Sequence, residues 1–561
     1  MSQLTLLPTD GVLIEARDSQ SNHGEVFTRR WIVEFILDLV GYRAEEDLAS
    51  LTVVEPACGS GAFLIPIVDR LVASAQLHKR DLAAAAGAIR AYDVLEQHAE
   101  AARMAVADRL GGHGFPAEES EKLANRWVTT SDFLLHDHVT STADFVVGNP
   151  PYIRLEDVPR PLTDAYRRAC PTMQGRSDIY VGFIEMGLRL LRSDGKLGYI
   201  CADRWMRNQY GGALRQLITS SYAVETVVGM HDVDAFEEEV SAYPAIVVLR
   251  NSSQNAVNTI DAHEEFGPED AVATSKWVDE RTPTMKRVAA QGARLTTWFQ
   301  GKPSWPAGNP ARQALVADLE SRFPPLENRT TGTRVGIGVA TGCDEVYITA
   351  DSEVVEPDRL LPLLLARDTV DGKADWSGHY LVNPWNGDGL VDLMAYPRLK
   401  EYFEANAERI RRRHVARKRP QSWYRTIDRV DPALRTREKL VLPDMKAQAN
   451  PVLDRGESYP HHNLYFVVSE AWDLEVLGAL LLSDVANALI GAYCVKMRGG
   501  TYRFQAQYIR RMRVPDPAGI DGRTRRQLAG AFRARDREAA TELTAGVYGV
   551  DRSLLNAAVR R

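Results

Sequence analysis

Between residues 51 and 249 the chain alternates short apolar runs with longer stretches of helical period. The runs lie at 51–54, 89–94, 127–130, 144–148, 196–201, 225–229 and 245–249. Each has the length of a buried strand, and most are separated by enough chain for a helix that crosses a sheet. That alternation predicts a mainly parallel sheet with helices on both faces, an α/β fold. Only Asp232 to Pro244 separates the last two runs. No crossover helix fits there, so the final strand is expected to run antiparallel.

The flanking segments read differently. Residues 1–20 are a polar arm without clear period, and residues 21–255 hold the α/β domain. Residues 256–330 are less regular and turn-rich, as in Gly301-Lys302-Pro303-Ser304-Trp305-Pro306, and read as a connector. From 331 to 520 short strands and helices mix without repeats, an α+β pattern. Residues 521–561 have helical composition and many arginines.

At 561 residues, the chain is long enough for two to four domains. A net charge of −7 neither supports nor excludes nucleic acid, since only a groove-facing surface must attract phosphates. The five cysteines are scattered, with no Cys-x-x-Cys or Cys/His cluster, so a structural metal is not expected and a reducing compartment is. No apolar segment is long enough to span a bilayer, and no charged leader opens the chain; the expected location is the cytoplasm.

Two turns carry candidate chemistry. The run Asp144-Phe145-Val146-Val147-Gly148 leads into Asn149-Pro150-Pro151-Tyr152. Consecutive prolines can neither continue a strand nor enter a helix interior, so the chain leaves as a stiff extended loop. The Asn149 amide oxygen and the Pro150 carbonyl can both accept from one exocyclic NH2 group, and the Tyr152 ring can stack on the planar group that bears it. Upstream, Leu51-Thr52-Val53-Val54-Glu55-Pro56-Ala57-Cys58-Gly59-Ser60-Gly61 is a strand entering a glycine turn before an apolar helix. Gly59 and Gly61 permit a tight turn and close approach of a ligand. The turn lacks Gly-Lys-Ser/Thr, and Glu55 would repel a phosphate, so a ligand with an ammonium group suits it better.

These motifs resemble the γ-class DNA adenine-N6 methyltransferases, the group that includes the Taq methylase. Gly24-Glu25-Val26-Phe27-Thr28 resembles that family's first cofactor motif, Ala91-Tyr92-Asp93-Val94 the end of its second strand, Ser131-Asp132-Phe133-Leu134 the end of its third, and Asp234-Ala235-Phe236 the motif whose aromatic stacks on the flipped base. The motifs stand in the γ order over about residues 20–250. Looser likenesses to the family's recognition domain follow at Gly336 to Tyr347 and Gly499 to Gln505. The resemblance implies a Rossmann-like, seven-stranded S-adenosylmethionine-dependent domain followed by a mixed α+β target-recognition domain. It implies S-adenosyl-L-methionine held by Thr28, Glu55, Ala57, Cys58, Gly59, Gly61, Asp93, Val94, Asp132, Phe133 and Asn149, with Asp93 on the ribose and Asp132 on the adenine amino group. Asn149 and Pro150 would bind the target amine, with Tyr152 and Phe236 stacking on the extruded base. Cys58 also reads as a small packing residue.

Double-stranded DNA is the implied partner, a separate restriction endonuclease is a second candidate, and a monomer is expected. The basic run Arg411, Arg412, Arg413, Arg417, Lys418 and Arg419 stands beside Trp423 and Tyr424 and suits phosphate contact, with Lys496, Arg498 and Arg503 as a second group. A solvated helix face is the alternative. An RNA or protein-glutamine N-methyltransferase and a methylase subunit of a larger anti-phage complex are the alternatives, whereas a bifunctional restriction enzyme is not expected, since the C-terminal half shows no Pro-Asp…Glu-x-Lys cluster. Residues 1–20 are too few for an N-terminal nuclease.

Overall fold

The structure is a computed structural model and describes residues 5–9, 12–16, 28–237, 243–370, 372–496 and 501–559, with backbone alone at 5–9, 12–16, 84, 495 and 496. The chain divides into two units, Met1–Pro310 and Ala311–Arg561. In the N-terminal arm of the first unit, expected to lack regular structure, Thr5–Thr9 pairs antiparallel with Val12–Ala16.

The first unit is built on one mixed sheet of ten strands. In chain order they are β1 (Val53–Glu55), β2 (Ile89–Asp93), β3 (Val128–Thr130), β4 (Ala143–Gly148), β5 (Leu191–Ala202), β6 (Ala223–Gly229), β7 (Pro244–Arg250), β8 (Val257–Ala262), β9 (Thr284–Lys286) and β10 (Ala290–Leu295). Their spatial order is β3-β2-β1-β4-β5-β7-β6-β8-β10-β9. Strands β3, β2, β1, β4 and β5 are parallel, and β7 runs antiparallel between β5 and β6, as the short gap before it requires.

The sheet has three strands beyond the expected seven. Residues 257–295, read above as part of a connector, add β8 parallel to β6 and then β10 and β9 antiparallel. Asn258, Thr259, Asp261, Gln291 and Arg294 break their apolar pattern. Cross-strand pairing, rather than a hydrophobic run, makes them strands.

Helices cover both faces. α1 (Arg30–Val40) buries Ile32, Val33, Phe35, Ile36, Leu37, Leu39 and Val40. It lies on β5 at Gly198, where a Cβ would collide with Val40 Cγ1 and lie 3.1 Å from Ile36 Cγ2. α2 (Leu64–His78) follows β1, α3 (Glu96–Gly112) follows β2, and α4 (Ala117–Trp127) leads into β3. After β4 come α5 (Arg160–Ala169) and α6 (Tyr180–Leu190). Gly187 of α6 faces Leu197 and Tyr199 of β5. Because side chains alternate along a strand, α6 and α1 lie on opposite faces.

This order fixes where a ligand can sit. From β1 the chain moves outward to β2 and β3, then returns to the other side of β1 as β4. The connections that leave β1 and β4 run to opposite sides at that reversal, which is where open α/β sheets hold ligands.

The second unit combines small sheets with a helical cluster. An antiparallel sheet runs Arg334–Ile337, Leu464–Val468, Lys439–Pro443, Val452–Asp454. Within it Lys439 and Asp454 form a buried ion pair at 3.2 Å, and Asp454 also accepts from Gly456 N, Glu457 N and Ser458 Oγ. A second sheet joins Ile348–Thr349, Tyr380–Val382, Leu360–Leu364 and Tyr459–Pro460. Helices Leu474–Leu482, Gly522–Ala534 and Arg537–Tyr548 pack together, each opened by an aspartate cap, Asp473, Asp521 and Asp536. The arginine-rich tail is therefore part of the body of this unit. Among the described residues no single helix is long and apolar enough to cross a membrane.

Candidate functional site

The turn after β1 is organised by a carboxylate from the next strand. Gly59 (φ 51°) and Gly61 (φ 104°) both occupy conformations that favour glycine. Asp93, at the end of β2, accepts from Gly59 N at 2.9 Å through Oδ2 and from Leu95 N at 2.9 Å through Oδ1. His98 Nδ1 lies 3.6 Å from Oδ1. Asp93 thus ties together the two turns at the ends of β1 and β2. Ala57 and Val94 are half-buried beside it, and the Cys58 thiol is buried, which raises its pKa.

Glu55 closes β1 and is 2 % exposed. Burial raises its pKa well above the usual 4.5, and the Asp93 carboxylate pushes the same way. Among the described residues no hydrogen bond reaches its Oε2. A buried carboxyl with an unmatched oxygen is a group that a bound cation would ionise and satisfy.

The Asn149 loop stands at the end of β4, beside Glu55. A Cβ at Gly148 would lie 3.4 Å from Pro56 and 3.9 Å from Glu55, so the two strand ends are in contact. Asn149 Nδ2 donates to Thr28 Oγ1 at 3.2 Å. Thr28 is held in turn: it forms an antiparallel bridge with Phe236, Arg29 N donates to Ala235 O at 3.1 Å, and Arg29 pairs with Asp234 at 2.6 Å. The structure therefore brings Thr28, Glu55, Asn149, Tyr152 and Phe236 to one place. The rings of Tyr152 and Phe236 meet edge to face, with centroids 6.4 Å apart and planes at 85°. Stacking both on one base would require a ring to turn. Burial raises the pKa of Tyr152 well above the usual 10.0, and its hydroxyl has no hydrogen-bond partner among the described residues.

Five residues that sequence reasoning passed over, Ser177, Asp178, Ile179, Tyr180 and Tyr210, support this loop. Ile179 N donates to Ile153 O at 2.8 Å and Leu155 N to Ser177 O at 3.0 Å, so residues 177–179 brace the chain just after Tyr152. Asp178 Oδ2 accepts from Tyr180 at 2.7 Å and from Tyr210 at 2.9 Å, and the Tyr180 ring packs 6.1 Å from that of Tyr152. Asp178-Ile179-Tyr180 before an apolar helix was the available signal, but Tyr210 lies 32 residues further on.

Asp132 lies beyond β3, and its Oδ1 accepts from Leu134 N at 2.9 Å. Its Oδ2 accepts from Tyr166 of α5 at 2.7 Å, a partner not foreseen. Burial raises the Asp132 pKa against the effect of these bonds. The Phe133 ring stacks on Phe183 at 5.4 Å and is buried.

In the second unit the basic run is broken into Ala407–Arg411 and His414–Lys418. Arg413 is committed to the fold: it donates to Ile410 O, Thr341 O, Tyr347 Oη, Trp423 O and Arg425 O. Phosphate contact by Arg413 is therefore not what its geometry supports, because its fork is already turned inward. Arg411 lies over the Trp423 ring at 4.2 Å, Arg412 pairs with Glu408, and Arg417 donates to Arg412 O at 2.9 and 2.7 Å. Lys418 and Arg419 are exposed, and Arg503 is exposed 3.8 Å from Asp444. The Lys496 side chain and Arg498 lie outside the described residues.

Residues 79–236 match the family model described as "Eco57I restriction-modification methylase". The chain is 41% identical to the type II methyltransferase M.PaeR7I of Pseudomonas aeruginosa, over 98% of this chain and 94% of that protein. It is also 41% identical to M.XhoI of Xanthomonas vasicola, over 94% of this chain and 97% of that one. M.BstVI of Geobacillus stearothermophilus is 37% identical, over 95% and 97%. Among solved structures, the type IIL restriction-modification enzyme MmeI in complex with DNA is similar in fold, with a TM-score of 0.50, 11% identity, and coverage of 94% of this chain and 72% of that one.

Proposed function

This chain belongs to the type II restriction-modification methyltransferases, and from that premise we propose that it transfers a methyl group from S-adenosylmethionine to N6 of an adenine extruded from duplex DNA. The observation that carries the reading is the convergence of Glu55, Thr28, Asn149, Tyr152 and Phe236 at the β1/β4 reversal.

The donor set fits the cofactor. The unmatched Glu55 Oε2 suits an ammonium, and the glycine turn admits a ligand close to the backbone. Thr28 would complete the methionine end. Asp93 holds the turn in shape and would also accept from ribose hydroxyls. Asp132 would serve the adenine amino group once Tyr166 yields Oδ2 or shares it. Bound there, S-adenosylmethionine supplies a methyl carbon already activated by its sulfonium.

The chain's own residues then act on the amine. Thr28 takes the amide nitrogen of Asn149, so Oδ1 is the acceptor end of that side chain. Together with the Pro150 carbonyl it would draw both N–H bonds of one NH2 group to one side. That localises the nitrogen lone pair, which is otherwise delocalised into the ring, and stabilises the positive charge that develops there. The extra proton is acidic after transfer and leaves without a dedicated base. Tyr152 and Phe236 offer aromatic surface, at about 1–3 kcal/mol per stacked base, against an unstacking cost of a few kcal/mol. The second unit would read the target, with Arg411, Arg412, Arg417, Lys418, Arg419 and Arg503 as candidate phosphate contacts.

The test is transfer of labelled methyl groups from S-adenosylmethionine to duplex DNA, followed by mass spectrometry of the nucleosides. N6-methyldeoxyadenosine is the expected product. Label in RNA or in a protein glutamine, with none in duplex DNA, would overturn the reading.

A further inference from the structure

The segment Gly336 to Tyr347 takes no part in the chemistry above, yet it delivers a carboxylate to two histidines. Asp344 Oδ2 lies 3.2 Å from His461 Nε2, and His461 Nε2 lies 2.9 Å from His462 Nδ1. All three atoms lie within 4.8 Å of one another. The backbone holds them there: His461 N donates to Leu364 O at 3.0 Å, His462 N to Val339 O at 3.1 Å, and Gly338 lets the two chains approach where a Cβ would strike the Pro460 and His461 carbonyls. Thr341 Oγ1 donates to Asp344 Oδ1 at 2.5 Å, which leaves Oδ2 to the histidines.

Hydrogen bonding serves this cluster poorly. A carboxylate oxygen has only lone pairs, and a neutral imidazole has one N–H and one lone pair. Two hydrogens cannot both lie on the 2.9 Å line between His461 Nε2 and His462 Nδ1. At most one hydrogen lies between those two nitrogens, so with neutral imidazoles the three atoms face one another mainly with lone pairs. A cation serves all three at once. The separations of 2.9 and 3.2 Å approach the edge of about 3.3 Å in a tetrahedron with bonds of about 2.0–2.1 Å to nitrogen and oxygen. His461 is buried and Asp344 exposed, so one side of the cluster is rigid and the other open to solvent.

We propose that Asp344, His461 and His462 form a site for one divalent cation of the Zn2+ or Co2+ class, which fastens the loop after Gly342 to the chain entering Leu464–Val468. Two imidazoles and a carboxylate suit such ions better than Mg2+ or Ca2+, which prefer oxygen alone. Water would fill the remaining position. Sequence spacing did not point to this site because Asp344 lies 117 residues before His461.

The test uses the full chain without a histidine tag, stripped with chelator and titrated with Co2+. The expected result is one equivalent bound, with visible ligand-field bands, displaced by Zn2+ in competition with a chromophoric chelator. Asp344→Asn and His462→Gln should each weaken binding at least about tenfold. Both positions are less buried than His461, and far-ultraviolet circular dichroism in chelator should match the wild type. The thermal midpoint of the wild type should rise with Zn2+, and that of Asp344→Asn should not. Absence of ligand-field bands with no rise in midpoint, or binding unchanged in both variants, would overturn the proposal.

Discussion

Asn149 and Thr28, 121 residues apart in the chain, are joined by a hydrogen bond of 3.2 Å from the asparagine Nδ2 to the threonine Oγ1. The bond sets which end of the amide donates and which accepts. Asn149→Ala should therefore abolish methyl transfer and leave S-adenosylmethionine affinity nearly intact. Thr28→Val should lower kcat by about five- to tenfold, the scale of one lost hydrogen bond of about 1 kcal/mol. Calorimetry of cofactor binding beside single-turnover rates checks both. Loss of cofactor affinity in Asn149→Ala would contradict the assignment.

Glu55 gives a prediction with two opposite signs. Its carboxyl titrates well above 4.5 in the folded chain because it is buried. The folded state therefore binds a proton that the unfolded state releases. The associated stability is fully present below pH 4.5 and is lost as pH rises from there toward the raised folded value. Glu55→Gln should remove that loss, so without cofactor its thermal midpoint should exceed the wild type at pH 8 and match it more closely at pH 4.5. The same variant should bind S-adenosylmethionine more weakly by about 1–3 kcal/mol. Equal pH profiles for the two proteins would count against an unmatched carboxyl.

Asp93 should be costly to remove for two reasons at once. Asp93→Ala leaves Gly59 N and Leu95 N without their acceptor, so cofactor affinity and stability should fall together, each by about 1–3 kcal/mol. Calorimetry and chemical denaturation separate the two effects.

The basic run divides into two behaviours. Neutralising Arg412, Lys418 and Arg419 together should weaken binding to all duplexes about equally and lower the salt slope by about one unit per lost phosphate contact. Turnover on saturating DNA should barely change. Arg413→Ala should instead destabilise the protein by about 3 kcal/mol, because several partly buried carbonyls lose a charged donor. Denaturation curves and salt-dependent binding assays distinguish these outcomes.

How much of this was legible follows from the kind of signal each part leaves. Most of the first seven strands of the large sheet contain an apolar run, such as Phe145-Val146-Val147 in β4 and Ala245 to Leu249 in β7, and such runs announce burial directly. β8, β9 and β10 carry polar residues between small apolar ones and show themselves only through pairing. The Glu55 and Asn149 turns stood out because proline and glycine restrict the backbone in ways that can be read locally. The bond from Asn149 to Thr28, the Tyr166 hydroxyl on Asp132 and the inward turn of Arg413 are facts of packing across long separations. A row of arginines looks the same in sequence whether its members face solvent or carbonyls.

Gly198 shows how far from the candidate site one of its dimensions can be set. The bare backbone at this point of β5 lets α1 settle against the sheet, and Thr28 stands just ahead of the first turn of α1. The reach from Thr28 to Asn149 is thereby gauged by a methyl group that is missing from the middle of a strand. An alanine at 198 would leave every candidate site residue in place by name and lift the helix that Thr28 leads into. The Gly198→Ala variant is expected to lose methyl transfer while every candidate site residue keeps its identity, so that a comparison of those residues alone would offer no reason.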